Sequence, residues 1–539
     1  MAQVQQRLLI AAALTLAIIP EAHARKFYDD DPLWQMPRPM HVADAKNRKL
    51  NDIYDYFSMT FGKPGDKHSP GRPIPAGAVN TLGEVPDSAW YTNRHRARRM
   101  TMEEIVRGPG NENAPSTDKP WRVTAAKSEG VTPGFTIKDS KDRTYQIKFD
   151  TPENFELATG ADVMGTKFFY ALGYNTPENY IVYFTPEQLQ VGDKTMFVDY
   201  RGVERPMRQS DVAGVLARLP RDSRGRYRAV ASLFLTGKPI GPFRYHGTRT
   251  DDPNDIVPHE HRRDLRGLRV FSAWVNHNDT KALNSLDMLV EENGRKFIKH
   301  HLIDFSAVFG AEAFTAKSPR SGYAPMFDWP SSAKSFFTLG LYVPDYARAH
   351  HPYVEEVGRL ESTKFEPDEW VGNYYNPAFA NQLPDDGFWA AKQVMAFTEP
   401  EVRALVKTAE YSSEEGVEYL IKSLMQRREK IGRTYMSQVL PLDGFAVVNG
   451  RLRFEDLAVK YGFAQPRTYR YIWSTFDNNT ETRAAIAGAT SDALPGSFTS
   501  GYAVVQIQGD DAKKVVDVYL RRKAGSPAGV EVVGVERKW

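Results

Sequence analysis

The stretch Asn276-His277-Asn278-Asp279-Thr280-Lys281-Ala282-Leu283-Asn284 places a carboxylate, an ammonium and an amide on one short loop. Further along, Leu302-Ile303-Asp304-Phe305-Ser306 brings a second carboxylate. This set suits phosphoryl transfer, which needs a carboxylate at the acceptor hydroxyl and oxygen ligands for Mg²⁺ at the phosphates. Two carboxylates and an amide are the hard-oxygen donors such a cation takes. Other chemistries find less support. The chain has no cysteine, which excludes thiolate catalysis, Cys-ligated zinc and disulfides. His259-Glu260-His261 lacks the H-E-x-x-H spacing of a zinc protease. Neither a G-x-S-x-G nor a Walker A motif occurs.

These residues need elements to position them. The loop follows a helical stripe, Leu265, Leu268, Phe271 and Val275, whose other face carries Arg262, Arg263, Arg266 and Arg269. It precedes two apolar runs, Ser285 to Val290 and Lys296 to Ile303, joined through Asn293-Gly294, a strong hairpin signal. Upstream, alternation predicts strands over Trp121 to Ala126, Phe135 to Lys138 and Tyr145 to Phe149, a helix over Pro152 to Leu172, and strands over Asn179 to Phe184 and Ala229 to Leu235. Downstream, Phe388 to about Val439 reads as mostly helical, and Ser412 with Glu415 makes a capping box for the last long helix. Beyond Pro441 the chain alternates as β structure, with Tyr469, Tyr471 and Trp473 as candidate sugar-stacking rings if exposed.

In this order the elements carry a resemblance. His277-x-Asp279-x-Lys281-x-x-Asn284 looks like the catalytic loop of the protein-kinase superfamily, and Asp304-Phe305-Ser306 resembles its metal-binding D-F-G. The run His301 to Phe305 is most similar to the lipid-kinase and HipA-type branches, and the whole also resembles secreted kinases. The resemblance implies an α+β, bilobal kinase-like core using ATP with Mg²⁺ or Mn²⁺. By carry-over Asp279 is the base, Lys281 steadies the transferring phosphate, and Asn284 and Asp304 hold metal. Tyr145-Gln146-Ile147-Lys148 resembles V-A-I-K and makes Lys148 the nucleotide-phosphate lysine. Its helix carboxylate is expected to be Glu156, with Glu153 and Asp162 in reserve. Gly130 and Gly134 fall in the loop that would cover the phosphates. That loop is not G-x-G-x-x-G, Ser306 replaces the glycine of D-F-G, and no A-P-E segment follows.

The implied layout is a signal peptide over 1–24, an irregular extension over 25–119, an N-lobe over 120–240, a C-lobe over 241–440 and an all-β domain over 441–539. The signal peptide is read from Arg7, the apolar run Leu8 to Ile19, and Ala22-His23-Ala24 before the cut. The mature chain is therefore expected in the periplasm or outside the cell, with no transmembrane helix. A net charge of +3 is too near zero to imply nucleic acid. The basic run Asn93 to Arg99 reads as a solvated face. The expected acceptor is a hydroxyl on a protein, lipid headgroup or sugar, with envelope proteins and glycans among the candidates. Two alternatives stay open: a catalytically silent envelope scaffold, and AMP transfer on the same fold.

Overall fold

The computed structural model describes residues 25–126, 134–198, 202–522 and 529–539; residues 1–24, read from sequence as a signal peptide, and Gly130 lie outside them. The described chain is mixed α+β and divides into two compact units. One comprises Leu33–Pro441 with Leu457–Gln465 and Trp539. The other comprises Leu442–Asp456, Pro466–Lys538 and the described residues up to Pro32.

In the larger unit the extension forms a short helix, α1 (Asp52–Phe57), capped by Asn51, whose side chain accepts from Tyr54 N. A six-stranded sheet follows, built from β1 (Trp121–Ala126), β2 (Gly134–Lys138), β3 (Thr144–Phe149), β4 (Asn179–Phe184), β5 (Leu189–Val191) and β6 (Tyr227–Leu233). Its order is β4-β6-β3-β2-β1-β5, antiparallel except where β5 runs parallel to β1. Helices α2 (Leu157–Ala171) and α3 (Gln209–Leu216) flank it. Strand periodicity sorts β3 between them. Tyr145, Ile147 and Phe149 enter a core shared with Val212 and Leu216 of α3. Lys148 therefore faces the other way, onto α2.

Helix α2 starts at Leu157, later than the Pro152 read from sequence. Residues Thr151 and Asn154 close a turn, and Glu156 sits in the left-handed region at φ 73°. Asp150 supplies the cap instead, accepting from Ala158 N at 2.8 Å and Thr159 N at 2.9 Å.

Helix α4 (Arg263–Val275) leads into the loop at Asn276, and β7 (Ser285–Glu292) and β8 (Arg295–Leu302) form the hairpin. Asn293 and Gly294 turn it with φ of 52° and 72°, the pair of positive values that Asn-Gly tolerates. After α5 (Trp329–Phe337), the longer helices of the unit are α6 (Pro384–Met395), α7 (Glu399–Lys407) and α8 (Glu414–Ser437). Their apolar faces surround α2 and α4. Phe168 meets Trp274 edge-on at 5.2 Å, and the Trp274 indole donates to Leu424 O at 2.9 Å. Burying each such side chain is worth about 1.5–3 kcal/mol.

The arginine face of α4 is buried as well. Arg263 and Arg266 both reach Asp386 of α6, at 2.9 and 3.3 Å, so the charges enter the interior as a paired group. The basic run after Asn93 is likewise split: Arg94 stacks on Tyr170 at 3.9 Å and donates to Tyr174 O, while Arg98 and Arg99 are exposed. The cap of α8 is Ser413, accepting from Gly416 N at 3.0 Å, one residue beyond the Ser412 read from sequence. Ser412 uses its backbone N–H on Glu156 at 2.7 Å.

In the smaller unit β9 (Leu442–Val448) and β10 (Arg451–Asp456) form a hairpin. A five-stranded antiparallel sheet uses β11 (Arg470–Phe476), β12 (Arg483–Ala485), β13 (Gly501–Gln508), β14 (Val515–Arg522) and β15 (Val530–Lys538), in the order β12-β11-β13-β14-β15. Phe27 from the N-terminal segment packs among Phe476, Tyr502 and Tyr519. Trp473 is buried and Tyr469 donates to Asp456, so Trp473 is a core residue and not a sugar platform.

Candidate active site

Lys148 anchors the site. Its Nζ lies 3.0 Å from Asp162 Oδ2 on α2 and 2.9 Å from Asp304 Oδ1 after β8. Burial would lower the lysine pKa, but the two carboxylates outweigh it and hold the ammonium above its ordinary value. Gly134 is the ladder partner of Lys148 across β2 and β3, so the end of the proposed covering loop stands beside the lysine.

The helix carboxylate is Asp162, not Glu156. Six residues separate them, about 240° around the helix and about 9 Å along it, so both cannot face Lys148. Glu156 stands at the helix start and accepts from Ser412 N. Asp162 is buried and accepts three bonds: from Lys148 at 3.0 Å, from Asn179 Nδ2 at 3.0 Å and from Phe305 N at 3.1 Å. The available sequence signal was chemical: a lone acid among Ala161, Val163 and Met164 in an apolar helix must find a buried partner.

Asp304 takes a left-handed conformation, φ 57°, which Asp tolerates better than most residues and which concentrates at working sites. Ser306, where the resembled motif has glycine, donates its hydroxyl to Asp304 Oδ1 at 2.7 Å. Phe305 stacks on Phe169 of α2 at 5.0 Å, and His277 closes the group at 5.6 Å from Phe169. Burial pushes the His277 imidazole down to about 4, so it is neutral at pH 7. These three rings bind α2, the loop and the Asp304 strand into one block.

The loop delivers the second half of the site. Asn284 Nδ2 donates to Asp279 O at 2.7 Å and to Asp279 Oδ2 at 2.9 Å. Ile303 N donates to Asn284 O at 3.0 Å, which ties the loop to the strand carrying Asp304. Burial raises the Asp279 pKa, the charges of Asp304 and Glu312 add to this, and Lys281 and Asn284 oppose it. Lys281 Nζ is 3.8 Å from Asp279 Oδ1 and 3.3 Å from Asp52 Oδ2 on α1. Sequence reasoning missed Asp52, which lies in a segment without motif.

It also missed the support beneath Asp279. Lys317 is fully buried; burial lowers its pKa, and Glu312 at 3.1 Å opposes this. The same ammonium holds Asn278 Oδ1 and Ala307 O. Glu312 in turn accepts from Asn278 at 3.0 Å and Asn373 at 3.2 Å. The residue before Asp279 is thus clamped from both sides of its amide.

Among the described residues one group, Asp66, Glu260 and His261, gathers potential metal-ligating atoms within 4.8 Å. Two of the three already accept protein donors, Arg266 to His261 Nδ1 and Asp66 N and Gly247 N to Glu260, while the exposed Asp66 carboxylate lies 3.2 Å from His261 Nε2. No helix among the described residues is long and apolar enough to cross a membrane.

No family model matches the chain, and no curated protein matches it. Similar solved structures include the Helicobacter pylori proinflammatory kinase CtkA, 9% identical over 60% of this chain and 98% of that one, with a TM-score of 0.33. The Golgi casein kinase is 9% identical over 62% and 74%, with a TM-score of 0.28. The Golgi casein kinase with Mn/ADP bound is 10% identical over 62% and 73%, with a TM-score of 0.25.

Proposed function

We propose that the chain is an exported, bilobal, kinase-like phosphotransferase that moves the γ-phosphoryl group of ATP to a hydroxyl-bearing acceptor. The observation that carries this reading is the double pairing of Lys148 with Asp162 and Asp304, beside Asp279 and Asn284 on the adjoining loop. A structural ion pair needs one carboxylate. A lysine shared between a helix and a metal-type aspartate, next to an amide-held carboxylate, is what nucleotide phosphates and their cation require.

The donor set fits Mg²⁺ or Mn²⁺. Asp304 supplies a partly exposed carboxylate and Asn284 a carboxamide whose nitrogen is already bonded to Asp279, which leaves the oxygen as the ligand atom. A bound cation would neutralise charge on the β- and γ-phosphates. Lys148 would release Asp304 to it and turn to the phosphates, with Asp162 keeping the ammonium in place. Asp279 accepts the acceptor's proton as the acceptor oxygen bonds to the γ-phosphorus and the bond to the bridging oxygen breaks, releasing ADP. Lys281, 3.8 Å from Asp279, would steady the transferring phosphate. The raised pKa of Asp279 suits a base that must hold a proton briefly.

The test is label transfer from γ- and, separately, α-labelled ATP into the protein and into envelope extracts, with wild type and Asp279→Asn. Wild type should transfer γ-label only, and the variant should fall by about 10²–10⁴ while keeping Mg-ATP binding. Transfer from the α position alone replaces the reaction with AMP transfer. Tight Mg-ATP binding with no transfer replaces the enzyme with a silent binding module.

A further inference from the structure

Helix α5 has no buried residue, and the chain after it is exposed through Leu341. Phe336, Phe337, Leu339 and Leu341 are 76%, 81%, 92% and 84% exposed, and Trp329 is 65% exposed. Soluble chains rarely leave so many large apolar side chains together in solvent. Leu339 is fixed outward in the left-handed region, φ 51°, ahead of Gly340. The patch continues toward the candidate active site through a chain of rings. Phe327 meets Phe61 at 5.3 Å, Phe61 stacks on Phe57 at 5.8 Å, and Tyr56 joins Phe57 to Tyr374. Lys281 Nζ lies 5.6 Å from the Tyr374 ring centre.

We infer that this face docks on the surface of a phospholipid bilayer. The polar groups decide the occupant. From Trp329 to Pro344 the one formal charge is Lys334, with no carboxylate among these residues. Ser332 turns its hydroxyl to Asp328 O and Thr338 its hydroxyl to Lys334 O, each at 2.7 Å, so the helix satisfies these donors internally. A protein partner would ask for about one hydrogen bond per 100–200 Å² of contact, and beyond these the stretch offers only the side chains of Trp329, Ser331, Lys334, Ser335 and Tyr342. An acyl layer asks for none. A tryptophan at one end and a lysine on a long stem match the interfacial pattern, with the ammonium reaching lipid phosphate while the phenylalanines and leucines enter the boundary. The contact would set the cleft at Lys281 beside the membrane surface. It goes beyond the phosphotransferase reading and does not depend on it.

The absence of cysteine gives a clean probe. Leu339→Cys is labelled with an environment-sensitive dye and titrated with phosphatidylcholine vesicles, then with vesicles of brominated acyl chains. The dye should shift to the blue and then be quenched, little affected by added salt because one charge is involved. Phe337→Glu in the same labelled chain should weaken the vesicle response about tenfold or more, with unchanged thermal unfolding. A dye that stays in water at saturating lipid overturns the inference. So does a response that Phe337→Glu leaves intact, or a blue shift without vesicles that grows with protein concentration, which would make the occupant a second copy of the chain.

Discussion

Replacing Asp162 with asparagine separates the two candidate partners of Lys148. In the Asp162→Asn variant the remaining side-chain oxygen can still accept from Phe305 N and Asn179 Nδ2, the two bonds now made by Oδ1 at 3.1 and 3.0 Å. The new amide nitrogen would face the Lys148 ammonium, donor against donor, where the 3.0 Å ion pair now stands. Breaking a buried pair costs about 3–5 kcal/mol; Lys148 keeps Asp304, so the loss should lie near the lower end, about 3 kcal/mol. That is a large share of a stability of about 5–15 kcal/mol, so the variant should fold but melt early. Mg-ATP affinity should fall about tenfold or more, since each 1.4 kcal/mol of misplaced contact is about a factor of ten. The matched control is Glu156→Gln, whose carbonyl can still accept from Ser412 N. It should cost about 1 kcal/mol or less and leave nucleotide affinity unchanged. Thermal unfolding with and without Mg-ATP reads both quantities. If Glu156→Gln abolishes the nucleotide shift and Asp162→Asn preserves it, the assignment of the lysine's partner is wrong.

Two further outcomes follow from packing and burial. Stability should fall as pH drops from about 6.5 toward 4, because His277 and His301 are each pushed down to about 4 by burial and the unfolded chain binds their protons first; His277→Phe should flatten this acid limb in a pH series of unfolding midpoints, and an unchanged limb would count against a buried neutral imidazole. Gly165 on α2 lies under Phe305, and a Cβ there would meet Phe305 Cβ at 2.6 Å, so Gly165→Ala should lose about 1–3 kcal/mol to overpacking despite alanine's better helix propensity, and should weaken Mg-ATP binding by moving Asp304; a gain in stability would refute the close approach.

Much of the framework was legible because it depends on neighbours in sequence. Period-two alternation found β1 to β4 and β6, the 3.6 period found α4, and Asn293-Gly294 gave the hairpin that returns Asp304 toward Asn284. The motif resemblance named Lys148, Asp279, Asn284 and Asp304, and folding brings the first and last within 2.9 Å and the middle two into hydrogen-bond contact. What the chain could not disclose locally was which distant groups answer each charge. Where α2 begins decides whether Glu156 or Asp162 faces Lys148, and that start is set by Asp150 capping and by the left-handed turn at Glu156. The arginines of α4 look like a polar face until Asp386 arrives from α6 to bury two of them. Lys317, Glu312 and Asp52 carry no motif, and they reach the loop only because the fold brings remote segments around it. Helix and strand patterns are fixed by bonds a few residues apart, whereas a buried charge is settled by whichever partner the closed fold places within reach, and only the tertiary structure decides that.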